Sequence, residues 1–320
     1  MTIDKEATLV SIGMPVYKCS YLSRALVSVL GQTYKNLEII IVNDCSPHDI
    51  ESIVRKYNDK RIKYYVNGVN VGAKDPARNW NECLKRATGQ FFCLLCDDDA
   101  YEPTFVEELL RLAEKYPKCN VFHSGVKVFD MNDNVIQVFK KPPEWESCAD
   151  YIINVAKIRR KQTVSEWMYR REHIIGLGGY DSLPLAWGSD YLSVMRFSVV
   201  GGIASTNKEL AVFRRSDENI TMKQQGQTEM KIYSLFLYRK KLAELVRGDE
   251  ALRKTVPLRC IDRIKRNDDR GLLITAAWGE IWLVFRKRKQ YDVAIRSIIE
   301  AIIIRIIKKI FRCKCGRKGI

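Results

Sequence analysis

Three consecutive carboxylates, Asp97, Asp98 and Asp99, directly follow a short apolar run at residues 91–96. The run FFCLLC has the length and apolarity of a central strand in a parallel sheet, where both faces are covered. Adjacent acids repel one another, and a hard divalent cation such as Mg²⁺ or Mn²⁺, which prefers carboxylate oxygens, would remove that repulsion. A solvated acidic turn before a helix that begins near Pro103 is the alternative. The triplet alone leaves both interpretations open.

Polar residues also follow two other strand-like segments. Pro15 and Tyr17 come at the end of the first predicted strand, and Asp44 comes directly after the second. Because the carboxyl ends of parallel strands meet at one edge of a sheet, we expect these residues to lie near the acid triplet. Tyr17 could stack on a base, and Asp44 could accept hydrogen bonds from a base edge or a ribose. Taken singly, Asp44 fits a helix N-cap better than a ligand-binding role.

Two later groups add polar candidates. Gly72 permits a tight turn, and Arg78, near a helix start, could reach a diphosphate or the acid triplet. Trp187 precedes Gly-Ser-Asp at 188–190, which opens an apolar helix. Asp190 is therefore a candidate general base, with a helix N-cap as the alternative.

The elements that must position these residues alternate between strand and helix patterns. Strands are predicted at 8–14, 37–43, 62–66 and 91–96, and helices at 21–30, 49–57 and 77–87. Such alternation predicts βαβ units and a parallel sheet. A hairpin at 119–138 and a strand at 209–214 follow, and helical patterns dominate from about residue 222 onward.

These motifs together resemble a family 2 glycosyltransferase of the GT-A fold, over about residues 8–215. The matching segments are PVY at 15–17, ND-x-S at 43–46, N-x-G-x-x-x-x-A-R-N at 70–79, the acids at 97–99 and GSD at 188–190. The third segment has one residue more than the commoner spacing. Each motif is weakly specific alone, whereas their common order is strongly specific.

The resemblance implies roles for the donor-binding residues. Pro15, Tyr17 and Asp44 would hold the base and ribose of a nucleotide-sugar, and Arg78 would orient the nucleotide or its diphosphate. A UDP-sugar is the expected donor because UDP-sugars are the commonest donors in this family, with GDP- and dTDP-sugars left open.

The resemblance also implies the catalytic residues. Asp97 and Asp99 match the two acids of the family's D-x-D motif and would hold Mn²⁺ or Mg²⁺, with Asp99 as the direct ligand and Asp98 assisting at the donor. Asp190 matches the catalytic base of this inverting family. Trp187 would form an acceptor-binding wall for a sugar ring, or else serve as a core aromatic.

Three positions depart from the family pattern. Asn43 stands where an acid is common, Cys96 precedes the acid triplet where an acid is often found, and Ser189 replaces the first acid of the usual Glu-Asp pair. Because Asp44, Asp99 and Asp190 are all present, we interpret these departures as variation rather than loss of activity.

We therefore expect an α/β protein with two parts. Residues 1–218 would form a GT-A catalytic domain with a mostly parallel sheet flanked by helices, and 219–320 a basic helical region. The expected function is metal-dependent, inverting transfer of a sugar to a glycan or lipid-linked saccharide acceptor in surface polysaccharide biosynthesis. A sugar nucleotidyltransferase is one alternative, but it needs a glycine-rich phosphate loop, and residues 11–15 contain one glycine.

The net charge of +16 is concentrated late in the chain, at 263–270, 286–290 and 305–318. A basic tail can bind nucleic acid, anionic lipid or an anionic substrate. A basic nucleic-acid-binding protein would interleave the basic residues with stacking aromatics. Here they are interleaved with isoleucine, so no nucleic-acid partner is expected.

Isoleucines recur at helical spacing between residues 291 and 311. The stripe contains Ile295, Ile298, Ile299, Ile302, Ile303, Ile306, Ile307 and Ile310, with Ile304 interrupting the division between apolar and basic faces. This pattern suits an anionic membrane surface, and the Lys/Arg cluster that follows favours lipid. A helix docked on the catalytic domain is the alternative.

The expected location is cytoplasmic, and peripheral on the inner face of the cell membrane through residues 291–318. The N-terminus is too polar for a secretory signal, and no apolar run approaches the roughly 20 residues of a spanning helix. Cys93 and Cys96 lie inside an apolar strand, so we expect reduced packing residues there.

Overall fold

The computed structural model describes residue 4, residues 7–219 and residues 226–315, with side chains as far as residue 308. Predictions that fall on Ile310 and on residues 316–318 of the basic tail lie outside these described parts. The chain divides into two compact units, Met1–Ser216 and Asp217–Ile320. The assignment of the units to a catalytic domain and a separate C-terminal region stays a prediction.

The first half of the first unit alternates strands and helices as predicted. Its elements are β1 (Val10–Val16), α1 (Leu22–Leu30), β2 (Leu37–Asn43), α2 (Ile50–Val54), β3 (Ile62–Val66), α3 (Ala77–Arg86), β4 (Phe91–Leu94), β5 (Ala100–Tyr101) and α4 (Phe105–Lys115). The fourth strand was predicted to reach Cys96 but ends at Leu94.

The second half adds the predicted hairpin and further elements. They are β6 (Val121–Phe129), β7 (Val135–Val138), β8 (Trp145–Glu146), α5 (Cys148–Ala156), β9 (Trp167–Arg170), α6 (Arg171–Gly176), a 3-10 turn (Pro184–Ala186), α7 (Ser189–Phe197) and β10 (Ile203–Arg214). The predicted strand at 209–214 is the second half of β10.

The strands form one sheet in the order β3-β2-β1-β4-β9-β6-β10-β5, with β7 paired to β6 and β8 to β10. β1 is parallel to both β2 and β4, and β6 is parallel to β10, whereas β9 runs antiparallel to β4 and β6. All residues of β2 and β4 are buried, as expected for strands covered on both faces. This sheet confirms the predicted mostly parallel architecture flanked by helices.

The second unit is helical over its described residues. It contains α8 (Thr228–Gly248), α9 (Glu250–Thr255), α10 (Leu258–Thr275), α11 (Trp278–Lys287) and α12 (Ile295–Cys315). Its core includes residues of α8, α10, α11 and α12, among them Ile232, Leu273, Ile281 and Ile298. Among the described helices, none combines the length and apolarity needed to cross a bilayer.

The isoleucine stripe of α12 does not form a single face in the structure. Ile298 is 4% exposed and packs into the core of the second unit together with Ala301. Ile295, Ile299, Ile303, Ile306 and Ile307 are instead exposed, each by 45–51%. The helix is therefore docked within its own unit, and it still presents an apolar face to solvent.

Gly13 of β1 lets α3 pack closely on the sheet. A Cβ at this position would lie 2.7 Å from Cys83 Cβ of α3 and 2.8 Å from the Phe92 ring of β4. We expect Gly13→Ala to lower the free energy of unfolding by about 1–3 kcal/mol, because an added methyl overpacks a filled core.

Denaturant unfolding of Gly13→Ala checks this expectation. Gly68→Ala is the matched control, since a Cβ at Gly68 meets no atom within 4 Å. Equal stability of the two variants would contradict the proposed close approach of α3 to β1.

Candidate active site

The acid triplet lies directly beyond β4, and all three side chains are buried. Asp97 is bound by the loop after β1: its Oδ2 accepts hydrogen bonds from the backbone N–H groups of Tyr17 at 2.9 Å and Lys18 at 2.7 Å. Ser46 in the loop after β2 donates from Oγ to the carbonyl of Tyr17 at 2.6 Å. The loops after three neighbouring strands are therefore joined at one edge of the sheet, as predicted.

Lys18 is a charged contributor that the sequence analysis missed. Its Nζ contacts Asp98 Oδ2 and lies 3.4 Å from Asp97 Oδ1. Burial lowers the pKa of Lys18, but attraction by Asp97 and Asp98 outweighs it and leaves the pKa above its usual range. The lysine therefore partly neutralises the triplet.

Asp99 is bound by two different elements. Its Oδ2 accepts a hydrogen bond from Ser165 Oγ at 2.6 Å, and its Oδ1 accepts one from the backbone N–H of Arg214 at 3.1 Å. Burial, together with repulsion by Asp98, nevertheless raises the pKa of Asp99 to about 8. Burial also raises the pKa of Asp97, although Lys18 opposes the shift.

The donor set fits a divalent cation that binds together with a ligand. Among the described residues, no three or more His, Cys, Asp or Glu side chains are arranged as a complete metal site. Mg²⁺ is usually held by one or two carboxylates together with substrate phosphates, so an incomplete protein site is the normal arrangement. Asp97 and Asp99 are hard oxygen donors with raised pKa values, and a cation would compensate their buried charge.

Asp44 is not a helix N-cap, so the structural role favoured for it alone is wrong. The cap of α2 is Asp49, whose side chain accepts from the N–H of Ser52 at 3.0 Å. Asp44 instead accepts from the backbone N–H groups of Val71 at 2.9 Å and Gly72 at 2.7 Å. These contacts tie the loop after β2 to the loop before α3.

A Cβ at position 72 would lie 2.7 Å from Asp44 Oδ2, so a larger residue would displace this hydrogen-bonded carboxylate. Asn67, which the sequence analysis missed, donates from Nδ2 to Asp44 Oδ1 at 2.8 Å and to Asn79 Oδ1 at 3.0 Å. Asn79 belongs to the A-R-N segment at the start of α3, so the segment supports Asp44.

The remaining donor-side candidates lie around Asp44 and the triplet. Tyr17 is 43% exposed, Pro15 is half-buried in β1, and Arg78 is exposed on the first turn of α3. An exposed aromatic ring and an exposed guanidinium are available to a ligand, whereas Pro15 shapes the end of the strand.

Asp190 is the second residue of α7, and the N-cap of that helix is Gly188. The helix-cap alternative for Asp190 is therefore wrong. Gln162 Nε2 donates to Asp190 Oδ2 at 3.2 Å. Burial raises the pKa of Asp190 to about 6, and the hydrogen bond from Gln162 opposes that shift. Trp187, half-buried, lies just before the helix.

A short segment that the sequence analysis missed, residues 162–166, touches both ends of the site. Gln162 contacts Asp190, and Ser165 contacts Asp99. Glu166 Oε2 accepts from the backbone N–H of Thr163 at 2.8 Å and from its Oγ1 at 3.1 Å. The Thr-x-x-Glu spacing of 163–166 resembles a capping box and was the one available sequence indication of this turn.

Of the three departures from the family pattern, Asn43 makes side-chain hydrogen bonds. Asn43 donates from Nδ2 to Tyr64 Oη at 2.9 Å, and its Oδ1 accepts from the N–H of Ser46 at 2.9 Å. The backbone N–H of Cys96 donates to Ser165 Oγ at 3.2 Å. Ser189 is buried at the start of α7.

The raised pKa of Asp99 predicts a pH-dependent stability in the absence of metal. Because the folded-state pKa of about 8 exceeds the ordinary value near 3.9, the folded chain binds this proton more tightly than the unfolded chain. This contribution to stability is complete below about pH 4 and is lost as the pH rises towards 8. Asp99→Asn lacks it, so the variant should gain a few degrees in Tm over wild type between pH 5 and pH 8.

Thermal melts in EDTA at both pH values measure the difference. Asp262→Asn, at an exposed position of α10, controls for the loss of one negative charge. A Tm difference between Asp99→Asn and wild type that does not change with pH would contradict the assigned pKa.

The family model for glycosyl transferase family 2 matches residues 11–174, just over half of the 320-residue chain. WfaP of Escherichia coli, named a UDP-Glc:alpha-D-GlcNAc-diphosphoundecaprenol beta-1,3-glucosyltransferase, is 38% identical over 138 residues, which are 42% of this chain and 53% of that protein. The matches cover between 19% and 53% of the length of these curated relatives.

Two solved structures share the fold. S. aureus TarS 1–349 in complex with UDP-GlcNAc has a TM-score of 0.57 at 15% identity, over 96% of this chain and 92% of that chain. The mannosyltransferase PcManGT from Pyrobaculum calidifontis, in complex with GDP-Man and Mn²⁺, has a TM-score of 0.55 at 15% identity, over 94% and 87%. These likenesses confirm the predicted fold class. With the family model matching over half of its residues, the chain belongs to glycosyl transferase family 2.

Proposed function

We propose that this chain is a metal-dependent, inverting glycosyltransferase that moves a sugar from a UDP-sugar to a glycan or lipid-linked saccharide acceptor in surface polysaccharide biosynthesis. The observation that carries the proposal is the hydrogen-bonded convergence of the family's motif residues at one edge of the sheet. WfaP and TarS, named with UDP-sugars, support the choice of donor, while PcManGT, named with GDP-Man, makes a GDP-sugar the competing result.

The nucleoside would bind between the loops after β1 and β2. A carboxylate offers about four acceptor positions. Among the described residues, Asp44 accepts three hydrogen bonds, which come from Asn67, Val71 and Gly72. On this proposal an N–H of the base would use a further position. Tyr17, exposed beside it, would stack on the ring, Pro15 would border it, and Arg78 would reach the diphosphate.

The leaving diphosphate gains negative charge as the bond to the sugar breaks. Mn²⁺ or Mg²⁺ held by Asp97 and Asp99, with Asp98 assisting, would supply Lewis-acid stabilisation of that charge when bound. Lys18, which contacts Asp98, places a second positive charge at the same edge. The chain's own part is to hold the carboxylates in place through the N–H groups of Tyr17 and Arg214.

Asp190 would act as the general base. The acceptor hydroxyl oxygen attacks the anomeric carbon from the face opposite the diphosphate, its proton passes to Asp190, and the nucleoside diphosphate departs with the electron pair of the broken bond. A base works best when its pKa lies near the working pH. The pKa of about 6 for Asp190 meets this condition, because the carboxylate is ionised at pH 7 and is more basic than an exposed aspartate. Trp187 would line the acceptor site.

The second unit suits an anionic membrane surface. Residues 217–320 contain 25 basic and 12 acidic residues, and thus carry most of the chain's net positive charge of +16. The exposed isoleucines of α12 add an apolar face to this basic unit. On this proposal the protein lies on the cytoplasmic side of the cell membrane, where a lipid-linked acceptor would be available.

Two isosteric variants test the assignment of the metal ligand and the base. Asp190→Asn should bind UDP-sugar and Mn²⁺ normally but lose roughly 10²–10⁴-fold in turnover, because it cannot accept the proton. Asp99→Asn should lose the Mn²⁺-dependent part of nucleotide binding. Calorimetric titration with UDP, GDP and dTDP, with and without Mn²⁺, and a coupled assay of released diphosphate measure both effects.

Each variant is the control for the other, since both replace one carboxylate by an amide of the same shape. Near-normal turnover of Asp190→Asn, or Mn²⁺-dependent binding retained by Asp99→Asn, would contradict the corresponding role. If the protein binds GDP more tightly than UDP, the proposed donor becomes a GDP-sugar and the proposed reaction is unchanged.

The exposed face of α12 predicts binding to anionic vesicles. Ile299→Glu combined with Ile306→Glu should abolish co-sedimentation with phosphatidylglycerol vesicles, because inserting two carboxylates into the interface is costly. Wild-type binding should weaken as salt rises. Both residues are exposed, so the double variant should retain the wild-type Tm.

Val69→Glu combined with Val200→Glu is the matched control, with the same charge change at exposed valines of the first unit. The control variant should bind vesicles like wild type. If wild type stays in the supernatant at low salt, or if the α12 variant still sediments, the membrane proposal is wrong.

A further inference from the structure

Residues 162–166 form one turn that reaches both reactive ends of the site. Ser165 donates from Oγ to Asp99 and also accepts from the backbone N–H of Cys96. Three residues earlier, Gln162 donates to Asp190. The acid assigned to the metal and the acid assigned to the base are therefore held by the same short segment.

The amide of Gln162 has a defined orientation. The hydroxyl of Tyr151 on α5 donates to Gln162 Oε1, so the opposite side of the amide, Nε2, faces Asp190. Tyr151 and Gln162 are both buried. Because the amide oxygen of Gln162 already accepts a hydrogen bond from Tyr151, only the N–H groups of the amide remain to contact Asp190. The amide therefore acts as a donor to that carboxylate.

The turn itself is anchored from the sheet. Glu166 binds Thr163 through Oε2, and its Oε1 lies 3.1 Å from His123 Nε2 of β6. Burial, followed by the nearby Arg160, lowers the pKa of His123 well below its usual value, so the ring is neutral. These contacts set the backbone position from which Gln162 extends.

We propose that Gln162 is a positioning residue for the proposed glycosyl transfer, holding the carboxylate of Asp190 in the orientation that receives the proton of the acceptor hydroxyl. The inference rests on the proposed role of Asp190 as the base. Without this donor the carboxylate would keep only the hydrogen bonds from the backbone N–H groups of Tyr191 and of Asp190 itself. Its orientation would be less restrained, and its oxygen would meet the acceptor hydroxyl less often in a productive geometry.

The same hydrogen bond affects when Asp190 is ionised. It stabilises the carboxylate and so opposes the rise in pKa that burial causes. Two further titratable groups face Asp190: Glu166, whose charge would repel it, and Tyr169 of β9. Burial raises the pKa of both of these groups well above their usual values, so neither carries charge near pH 7. Gln162 supplies the side-chain hydrogen bond that stabilises the carboxylate, beside the backbone N–H groups of Tyr191 and Asp190.

Gln162→Leu tests the inference, because leucine fills similar space without a donor. We expect kcat to fall about tenfold and the acid limb of its pH profile to move up by roughly one unit, as for loss of one hydrogen bond to a charged group. Binding of the UDP-sugar with Mn²⁺ should stay at the wild-type value. A purely structural role would lower Tm and total activity without moving the acid limb.

Ser165→Ala is the matched variant from the same turn. It should weaken Mn²⁺-dependent nucleotide binding, through Asp99, and leave the acid limb of kcat in place. An acid limb that moves equally in both variants would assign the effect to the turn as a whole and overturn the specific role of Gln162.

Tyr151→Phe keeps the inference testable if Gln162→Leu does not fold. It removes only the hydroxyl that orients the amide, and it should move the acid limb in the same direction by a smaller amount. An unmoved acid limb in a folded Gln162→Leu or Tyr151→Phe overturns the inference. Asp190→Asn distinguishes failure of this inference from failure of the proposed function. If Asp190→Asn keeps the wild-type turnover, Asp190 is not the base; if it loses turnover while the acid limb of the Gln162 variant is unmoved, only the role of Gln162 is overturned.

Discussion

The burial of three adjacent carboxylates beyond β4 is the constraint on which the rest of the site depends. Each buried charge must be compensated or it neutralises by raising its pKa. Asp97 is compensated by two backbone N–H groups, Asp98 by Lys18, and Asp99 by Ser165 and the N–H of Arg214. The raised pKa values of Asp97 and Asp99 indicate that this compensation is incomplete, so the proposed cation would stabilise both carboxylates.

The compensating contacts also assemble the site. Tyr17 belongs to the loop after β1, Ser165 to the turn before β9, and Arg214 to the end of β10, so one triplet draws together segments that are far apart in sequence. The turn that reaches Asp99 extends to Asp190 through Gln162. Because the two contacts come from one turn, variants that remove one or the other separate an effect on the proposed metal ligand Asp99 from an effect on the proposed base Asp190.

Sequence patterns predicted the secondary-structure elements better than they predicted the contacts between side chains. The strand and helix alternation, the hairpin and the common edge for Asp44 and the acid triplet follow from local periodicity and from the geometry of parallel sheets. The N-cap interpretation of Asp44 failed because its partners, Val71 and Gly72, lie 27 and 28 residues away. Gln162 was missed for a similar reason. A single glutamine in a loop gives no sequence signal, and its contacts with Tyr151 and Asp190 exist only in the folded chain.

The helix α12 shows that hydrophobic periodicity does not predict which residues of an apolar stripe are buried. A stripe with 3.6-residue spacing identifies an amphipathic helix, but it does not say which part of a wide stripe packs inward. The structure divides the stripe between a buried side with Ile298 and an exposed side with Ile299 and Ile306. The helix packs within its own unit, whereas the sequence alternative had it on the catalytic domain, and its exposed side keeps the membrane surface as a proposal. Residues 1–216 contain 29 basic and 26 acidic residues, so most of the attraction to an anionic surface would come from the other unit. Within the first unit, the charge of the acid triplet is opposed by Lys18 and by the backbone N–H groups that its carboxylates accept from.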